Sequence, residues 1–208
     1  MKISYAISVK DEFLEIQTLV TYLLEHKRKE DEVVILFDSK NGDKAIEEYL
    51  RASTVEKSLF RWHPYEFDGD FSKMKNYLNS LCTGDFIFNI DADEVPSLNL
   101  VVNLPSFLDQ GVDLILIPRE NYVKGITQEH INKWNWAKDS LGRINYPDYQ
   151  ARVYRNSPDI KWVNKVHEII TGHKTWAAIP HTAPSLFFLE HRKDIKRQEK
   201  QNEYYSSL

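Results

Sequence analysis

The sequence predicts an α/β protein, a three-layer sandwich built on a mostly parallel central sheet. Through the first half of the chain, strand-like and helix-like apolar periodicities alternate, as right-handed β-α-β crossovers require. The run Val33-Val-Ile-Leu-Phe37 is continuously apolar, as expected of a strand covered on both faces. From Asn121 onward the alternation fades and aromatic residues crowd in, so the second half is expected to be irregular and aromatic-rich.

Ile3, Tyr5, Ile7 and Val9 alternate with smaller residues and predict a first strand. Phe13, Ile16, Val20 and Leu23 recur at helical spacing and run into the charged stretch 25–32. After the strand 33–37, Asp38-Ser-Lys-Asn-Gly-Asp43 reads as a turn, and Ile46, Tyr49 and Leu50 mark a second helix. Leu59–Trp62 predicts a third strand, and Phe71, Met74, Leu78 and Leu81 a third helical stripe. Gly84 then opens the strand 86–90, and Asp113–Pro118 gives another strand. Further on, Tyr149–Arg155 and Ile160–Ile170 read as strands joined by the turn Asn156-Ser-Pro-Asp159, and Phe187–Leu189 as a last apolar piece. The charged tail from Lys193 predicts a solvated helix without chemistry of its own. Neither repeats nor a linker divide the chain, so residues 1–208 are expected to form a single domain.

Composition excludes several classes. A net charge of −4 and a pI near 6.0 argue against nonspecific nucleic-acid binding. The single cysteine, Cys82, cannot form an intramolecular disulfide and reads as a packed thiol. The N-terminus lacks a secretory apolar region, and no window is apolar for long enough to span a bilayer, so a soluble cytoplasmic protein without membrane insertion is expected.

Chemistry concentrates in Phe86-Ile-Phe-Asn-Ile-Asp91-Ala-Asp93-Glu94, where an apolar strand opens into three carboxylates within four residues. Carboxylates gathered at a strand end repel one another unless a cation neutralises them. Oxygen ligands suit a hard ion, Mn²⁺ or Mg²⁺, that shares its shell with substrate phosphates. Ligands of open α/β sheets bind at the carboxyl ends of strands. That rule places Lys10-Asp11-Glu12, Asp38 and Asp91-Ala-Asp93 on one edge, where a nucleotide can lie across them. Turn chemistry and helix N-terminal acids are the plain alternatives for Asp38, Asp43, Asp11 and Glu12. His167 and His191 are candidate metal or phosphate contacts. Arg152 and Arg155 are candidate clamps for diphosphate or an anionic acceptor, but a spacing of three on a strand points them to opposite faces. Trp134, Trp136 and Trp162 are candidates to stack on sugar rings, with core packing as the default for at least one.

The segment from Phe71-Ser72 through Lys75-Asn76 and Gly84-Asp85 to Asp91-Ala-Asp93-Glu94 resembles the family 2 glycosyltransferases of the GT-A, Rossmann-like fold. Asp11-Glu12 after the first strand and Asp38-x4-Asp43 after the second fit the same pattern, as do Arg152, Arg155-Asn156 and Val166-His167-Glu168. The likeness runs from about Ile3 to His191. It implies transfer of a sugar from a nucleotide-sugar donor, usually a UDP-sugar, to a hydroxyl acceptor, with inversion and with Mn²⁺ or Mg²⁺. Residues 1–118 would form the nucleotide-sugar half and 119–208 the acceptor half. Asp11, Glu12, Asp38, Lys75, Asp91 and Arg152 would bind the donor, and Asp91, Asp93 and His191 the metal. Glu168 would be the catalytic base, with Glu94 and Asp148 as alternatives. Lys75 stands where an arginine is more usual, keeping the charge without the planar fork. Two rival readings remain: a noncatalytic sugar-nucleotide or glycan-binding module of the same fold, and a haloacid-dehalogenase-like phosphatase. The phosphatase motif belongs near a chain start and needs a later acidic pair, and no adjacent acids follow Glu94.

Overall fold

The computed structural model describes residues 1–57, 59–182 and 184–206. The element order is β1 (Ile3–Val9), α1 (Phe13–His26), β2 (Glu32–Asp38), α2 (Lys44–Lys57), β3 (Arg61–Tyr65), α3 (Phe71–Leu81) and β4 (Phe86–Asp91), then β5 (Glu94–Pro96), α4 (Leu98–Leu108) and β6 (Leu114–Lys124). The chain continues through α5 (Gln128–Trp134), β7 (Ile144–Arg155), β8 (Lys161–Val163), β9 (Ile169–Thr171), β10 (Trp176–Ala178), β11 (Leu189–Asp194) and α6 (Ile195–Ser206). Nine strands form one sheet with the path β3-β2-β1-β4-β7-β6-β11-β5, and β10 pairs with β6 beside that path. β7 runs antiparallel to both its neighbours and β5 antiparallel to β11; the other pairings are parallel. The sheet is thus the mostly parallel one that the alternating pattern predicts.

Strand alternation divides the core between the two faces. Ile3, Tyr5, Ile7, Phe88 and Ile90 meet Ile16, Leu19 and Leu23 of α1, Ile46 and Leu50 of α2, and Leu100 and Leu104 of α4. Ala6, Val34, Leu36 and Ile87 face the other way, toward Leu78 of α3 and Trp162 and Ile170 of the β8–β9 hairpin. Each fully buried Ile or Leu contributes roughly 1.5–3 kcal/mol over leaving it exposed.

Local signals explain where elements start. Asp70 caps α3 by accepting from the Lys73 N–H (3.0 Å), and Ser97 caps α4 by accepting from the Leu100 N–H (3.2 Å). Gly84 brings the chain into β4 against β1: a Cβ there would sit 2.8 Å from the Ser4 backbone nitrogen. The Ser4 hydroxyl accepts from the Gly84 N–H (2.8 Å) and donates to Glu32 (2.6 Å), which clasps the amino ends of β1, β2 and β4.

Several expectations need correction. The third strand begins at Arg61 rather than Leu59, because register with Val34 sets its start and Leu59 stays half-exposed. The run 160–170 is two short strands, since the chain turns between them through Asn164 (φ 75°) and His167 (φ 54°), both in left-handed backbone. Helix α4 is an addition to the expected elements: Ser97 caps it, and Leu100, Val101, Leu104 and Leu108 form its buried face. β6 continues to Lys124 and β11 to Asp194, since both borrow partners from distant segments. Cys82 is buried, its Sγ 3.4 Å from the Leu78 carbonyl, and burial pushes the thiol up to about 12. Among the described residues no helix is long and apolar enough to cross a membrane.

Candidate active site

Because β1, β2 and β4 are parallel, their carboxyl ends deliver Lys10–Glu12, Asp38 and Asp91 to one edge of the sheet, with Ser8 opposite Asp91 and Val9 opposite Phe37. Asp38 is buried and organises the loop after β2: its carboxylate accepts from the N–H groups of Lys40 and Asn41 (3.1 Å each) and from Asn41 Nδ2 (3.0 Å). Asp43 caps α2, accepting from the Ala45 N–H (2.9 Å), and its own N–H donates to the Lys10 carbonyl (2.8 Å). The two loops are therefore tied together. Glu12 accepts from the N–H groups of Lys10 (2.9 Å) and Asp11 (3.1 Å), while Asp11 is exposed.

The acids after β4 have separate partners. Asp91 pairs with Arg152, which reaches across from β7. Glu94 is fully buried: one carboxylate oxygen accepts from Arg152 Nη2 (2.6 Å) and Arg119 Nη1 (2.8 Å), the other from the Asp91 N–H (3.2 Å). Arg119 continues to Asp148 through Nε (2.9 Å) and Nη2 (2.6 Å). Burial opposes ionisation of Asp91, yet the guanidinium of Arg152 and the nearby charges of Lys75 and Arg119 hold its pKa well below the usual range. Asp148 is likewise lowered: burial is outweighed by Arg119 and the Asn121 amide. Arg152 is thus a buried brace between two acids, and Arg155 points elsewhere, to Asp113 (3.0 Å), as the spacing of three predicts. Arg152 is buried between its two acids with no open face toward a donor, and Glu94 is fully buried with three hydrogen bonds to its carboxylate, which disfavours it as a base for an entering acceptor.

On the α3 side, Lys75 is buried, with Nζ 2.7 Å from Glu168 Oε1 and 4.3 Å from the Trp162 ring centroid. Trp162 is a core residue whose indole N–H donates to the Tyr154 hydroxyl (3.0 Å), so it is unavailable to a sugar. His167 is exposed in the turn before Glu168.

Asp93 turns toward β11. Its Oδ2 lies 3.3 Å from His191 Nε2 and 3.7 Å from Arg197 Nη2. Burial raises the Asp93 pKa, but the His191 hydrogen bond and charge outweigh it and the net shift is downward. Arg197 also pairs with Glu12 and lies 3.7 Å from Asp11, so one guanidinium links the acids after β1 to the acid after β4. This corrects the expected inert tail: α6 reaches the acidic edge. Beside His191 opens a cleft of about 240 Å³, lined among others by Asn121, Trp136, Asp148, Lys193 and Gln198. Trp134 packs against Trp136 with ring planes tilted by 52° and centroids 4.8 Å apart, leaving Trp136 as the indole at the cleft.

The edge thus gathers Asp11, Glu12, Asp91, Asp93 and His191, with Lys75 and Glu168 close by; Asp38 serves the neighbouring loop. Arg119, Asn121 and Arg197 escaped the sequence reading. Their signal was weak: each is a lone polar residue on a strand or in a charged tail, and its partner is 25 to 185 positions away.

Residues 4–175 match the family described as glycosyl transferase family 2. No curated protein matches the chain. Among solved structures, the S. aureus TarS 1–349 crystal structure superposes with a TM-score of 0.63 at 16% identity, covering 92% of this chain and 60% of that one. The same protein in complex with UDP-GlcNAc gives 0.64 at 17%, covering 93% and 59%. A further TarS structure gives 0.63 at 16% identity, with 92% of this chain and 37% of that one covered. The chain therefore spans about 60% of TarS 1–349, and the likeness shows a shared GT-A fold. The family match also displaces the phosphatase reading, since its span takes in Asp11, Glu12 and the Asp91-Ala-Asp93 segment. The chain belongs to glycosyl transferase family 2.

Proposed function

We propose that the protein transfers a sugar from a UDP-sugar to a hydroxyl acceptor, with a divalent cation and with inversion. The observation that carries this reading is the pairing of Asp93 and His191 at the carboxyl edge of the sheet. Their donor atoms are 3.3 Å apart. Two neighbouring ligands each about 2.1 Å from one ion lie about 3 Å apart, so this spacing suits a shared Mn²⁺ or Mg²⁺. Among the described residues no three His, Cys, Asp or Glu side chains converge on such a site. Two protein donors leave room for diphosphate oxygens and water, the usual shell of such ions at phosphate sites. When bound, the cation stabilises charge on the departing diphosphate.

The protein's own residues do the rest. Asp11, Glu12 and Asp38 stand where ribose and base would lie, and that TarS is solved with UDP-GlcNAc supports a uridine donor. Asp91, braced by Arg152, faces the donor sugar, and Glu94 locks that brace. Glu168 takes the proton of the acceptor hydroxyl as its oxygen bonds to the anomeric carbon and the bond to the diphosphate oxygen breaks. Lys75 holds the Glu168 carboxylate in place (2.7 Å). The cleft beside His191, with Trp136 on its wall, is where the acceptor would enter.

The test is transfer from UDP-sugars by the wild type and by Glu168→Gln, with the anomeric configuration of the product read by proton NMR. An inverted product, and a variant that still binds UDP but loses transfer, are expected. Full turnover by Glu168→Gln would remove it as the base. Absence of turnover by the wild type with every UDP-sugar, alongside intact UDP binding, would favour the noncatalytic module.

A further inference from the structure

Asn121, on β6, sits between two groups whose bonding fixes its orientation. One end of its amide lies 2.8 Å from Asp148 Oδ2 and 3.4 Å from the Ile144 carbonyl oxygen. A carboxylate and a carbonyl only accept, so the group facing them must be the NH₂. The other end, Oδ1, is then an acceptor, and it lies 2.7 Å from His191 Nδ1. An acceptor at that distance requires a hydrogen on Nδ1. The proton of a neutral His191 is thereby assigned to Nδ1, and the Nε2 lone pair is left aimed at Asp93 Oδ2, 3.3 Å away. With Nδ1–H so engaged, Nε2 is the nitrogen that faces Asp93, where a proton or a bound cation satisfies both groups, and Arg197 lies beside the pair, 3.7 Å from the same oxygen. Asp148 is in turn held by Arg119 and by Gln150 Nε2 (2.8 Å), so the chain Arg119–Asp148–Asn121–His191–Asp93 is anchored at its far end.

We propose that Asn121 is a positioning residue for the cation site: it holds His191 with Nδ1 protonated and presents the Nε2 lone pair, beside Asp93, to the divalent ion. This rests on the metal-dependent reading above. Asn121 touches neither donor nor cation; it acts through His191, as partners behind metal-bound histidines do.

The test has two readouts. Long-range ¹⁵N NMR of the full chain with UDP and Mg²⁺ reports which nitrogen of His191 carries the proton. Mn²⁺ affinity in the presence of UDP, read by electron paramagnetic resonance, compares wild type with Asn121→Leu. The wild type should show Nδ1 protonated and Nε2 bare. In Asn121→Leu the Mn²⁺ affinity should fall about 10- to 100-fold while metal-free UDP affinity stays the same. A proton on Nε2 in a wild type that binds UDP and Mg²⁺ would overturn this proposal alone. So would a folded Asn121→Leu with unchanged Mn²⁺ affinity. If Asn121→Leu fails to fold, the wild-type proton position still decides. A wild type that binds no UDP under any condition would overturn the donor-site reading and this one with it.

Discussion

The two halves of the sheet place charge in different ways. At the carboxyl edge of the β1–β2–β4 half, the loop acids lie directly after apolar strands and bond largely to neighbours in sequence: Asp38 bonds to Lys40 and Asn41, and Glu12 to Lys10 and Asp11. In the β6–β7–β11 half, charged groups sit within strands and are paired across the sheet: Arg119 joins Glu94 to Asp148, and Asn121 joins Asp148 to His191. Local bonding shapes loops that a ligand can remodel. Cross-strand bonding fixes a rigid frame, because a buried charge that loses its partner has no water to replace it. In the proposed reaction, the first half would cradle the nucleotide and the second would hold the groups that must not move.

Breaking the frame should have the largest effect. Arg152→Met leaves Asp91 and the fully buried Glu94 short of a cation, and should cost on the order of 3 kcal/mol in urea unfolding. An unchanged midpoint would mean that the frame is not structural. Gly84→Ala probes the opposite half at a close backbone approach, and should cost about 1–3 kcal/mol in the same assay because the contact is with β1 main chain.

A pH titration sharpens the comparison at the amino ends of the strands. Burial alone would raise the Glu32 pKa, but bonds from the Ser4 hydroxyl, the Thr83 N–H and Arg61 hold it down to about 2. A depressed carboxylate stabilises the fold above its unfolded value near 4.5 and loses that contribution as pH falls toward 2. Glu32→Gln should therefore flatten the acid side of the stability curve between those values; an identical curve would show that the clasp carries no net linkage. The smallest effect belongs to Arg197→Ala. Its guanidinium is more than a third exposed, so global stability should change by less than about 1 kcal/mol. Hydrogen exchange within α6 should nevertheless rise as its tie to Glu12 is lost, and unaltered exchange would show that α6 is held by other contacts.

The same contrast explains how much was legible in the sequence. Strands β1, β2 and β4 and helices α1 and α3 announce themselves by periodicity, and the acids that follow them inherit their place from the parallel topology. Glu168 and Lys75 were singled out separately by resemblance, but their 2.7 Å pairing was not visible, since it depends on α3 and the β8–β9 hairpin packing together. Arg119, Asn121 and Arg197 have no local pattern. Arg197 looked like one cation among several in a polar helix, and only the return of β11 beside β6 carries α6 to Glu12 and Asp93.

The most direct measurement is calorimetric binding of UDP, with and without Mn²⁺, to wild type and Asp93→Asn. UDP should bind the wild type tightly only with Mn²⁺, and Asp93→Asn should bind it no better with the metal than without. Equal UDP affinity in both proteins, whether or not Mn²⁺ is present, would contradict the assignment of Asp93 and His191 as the cation site.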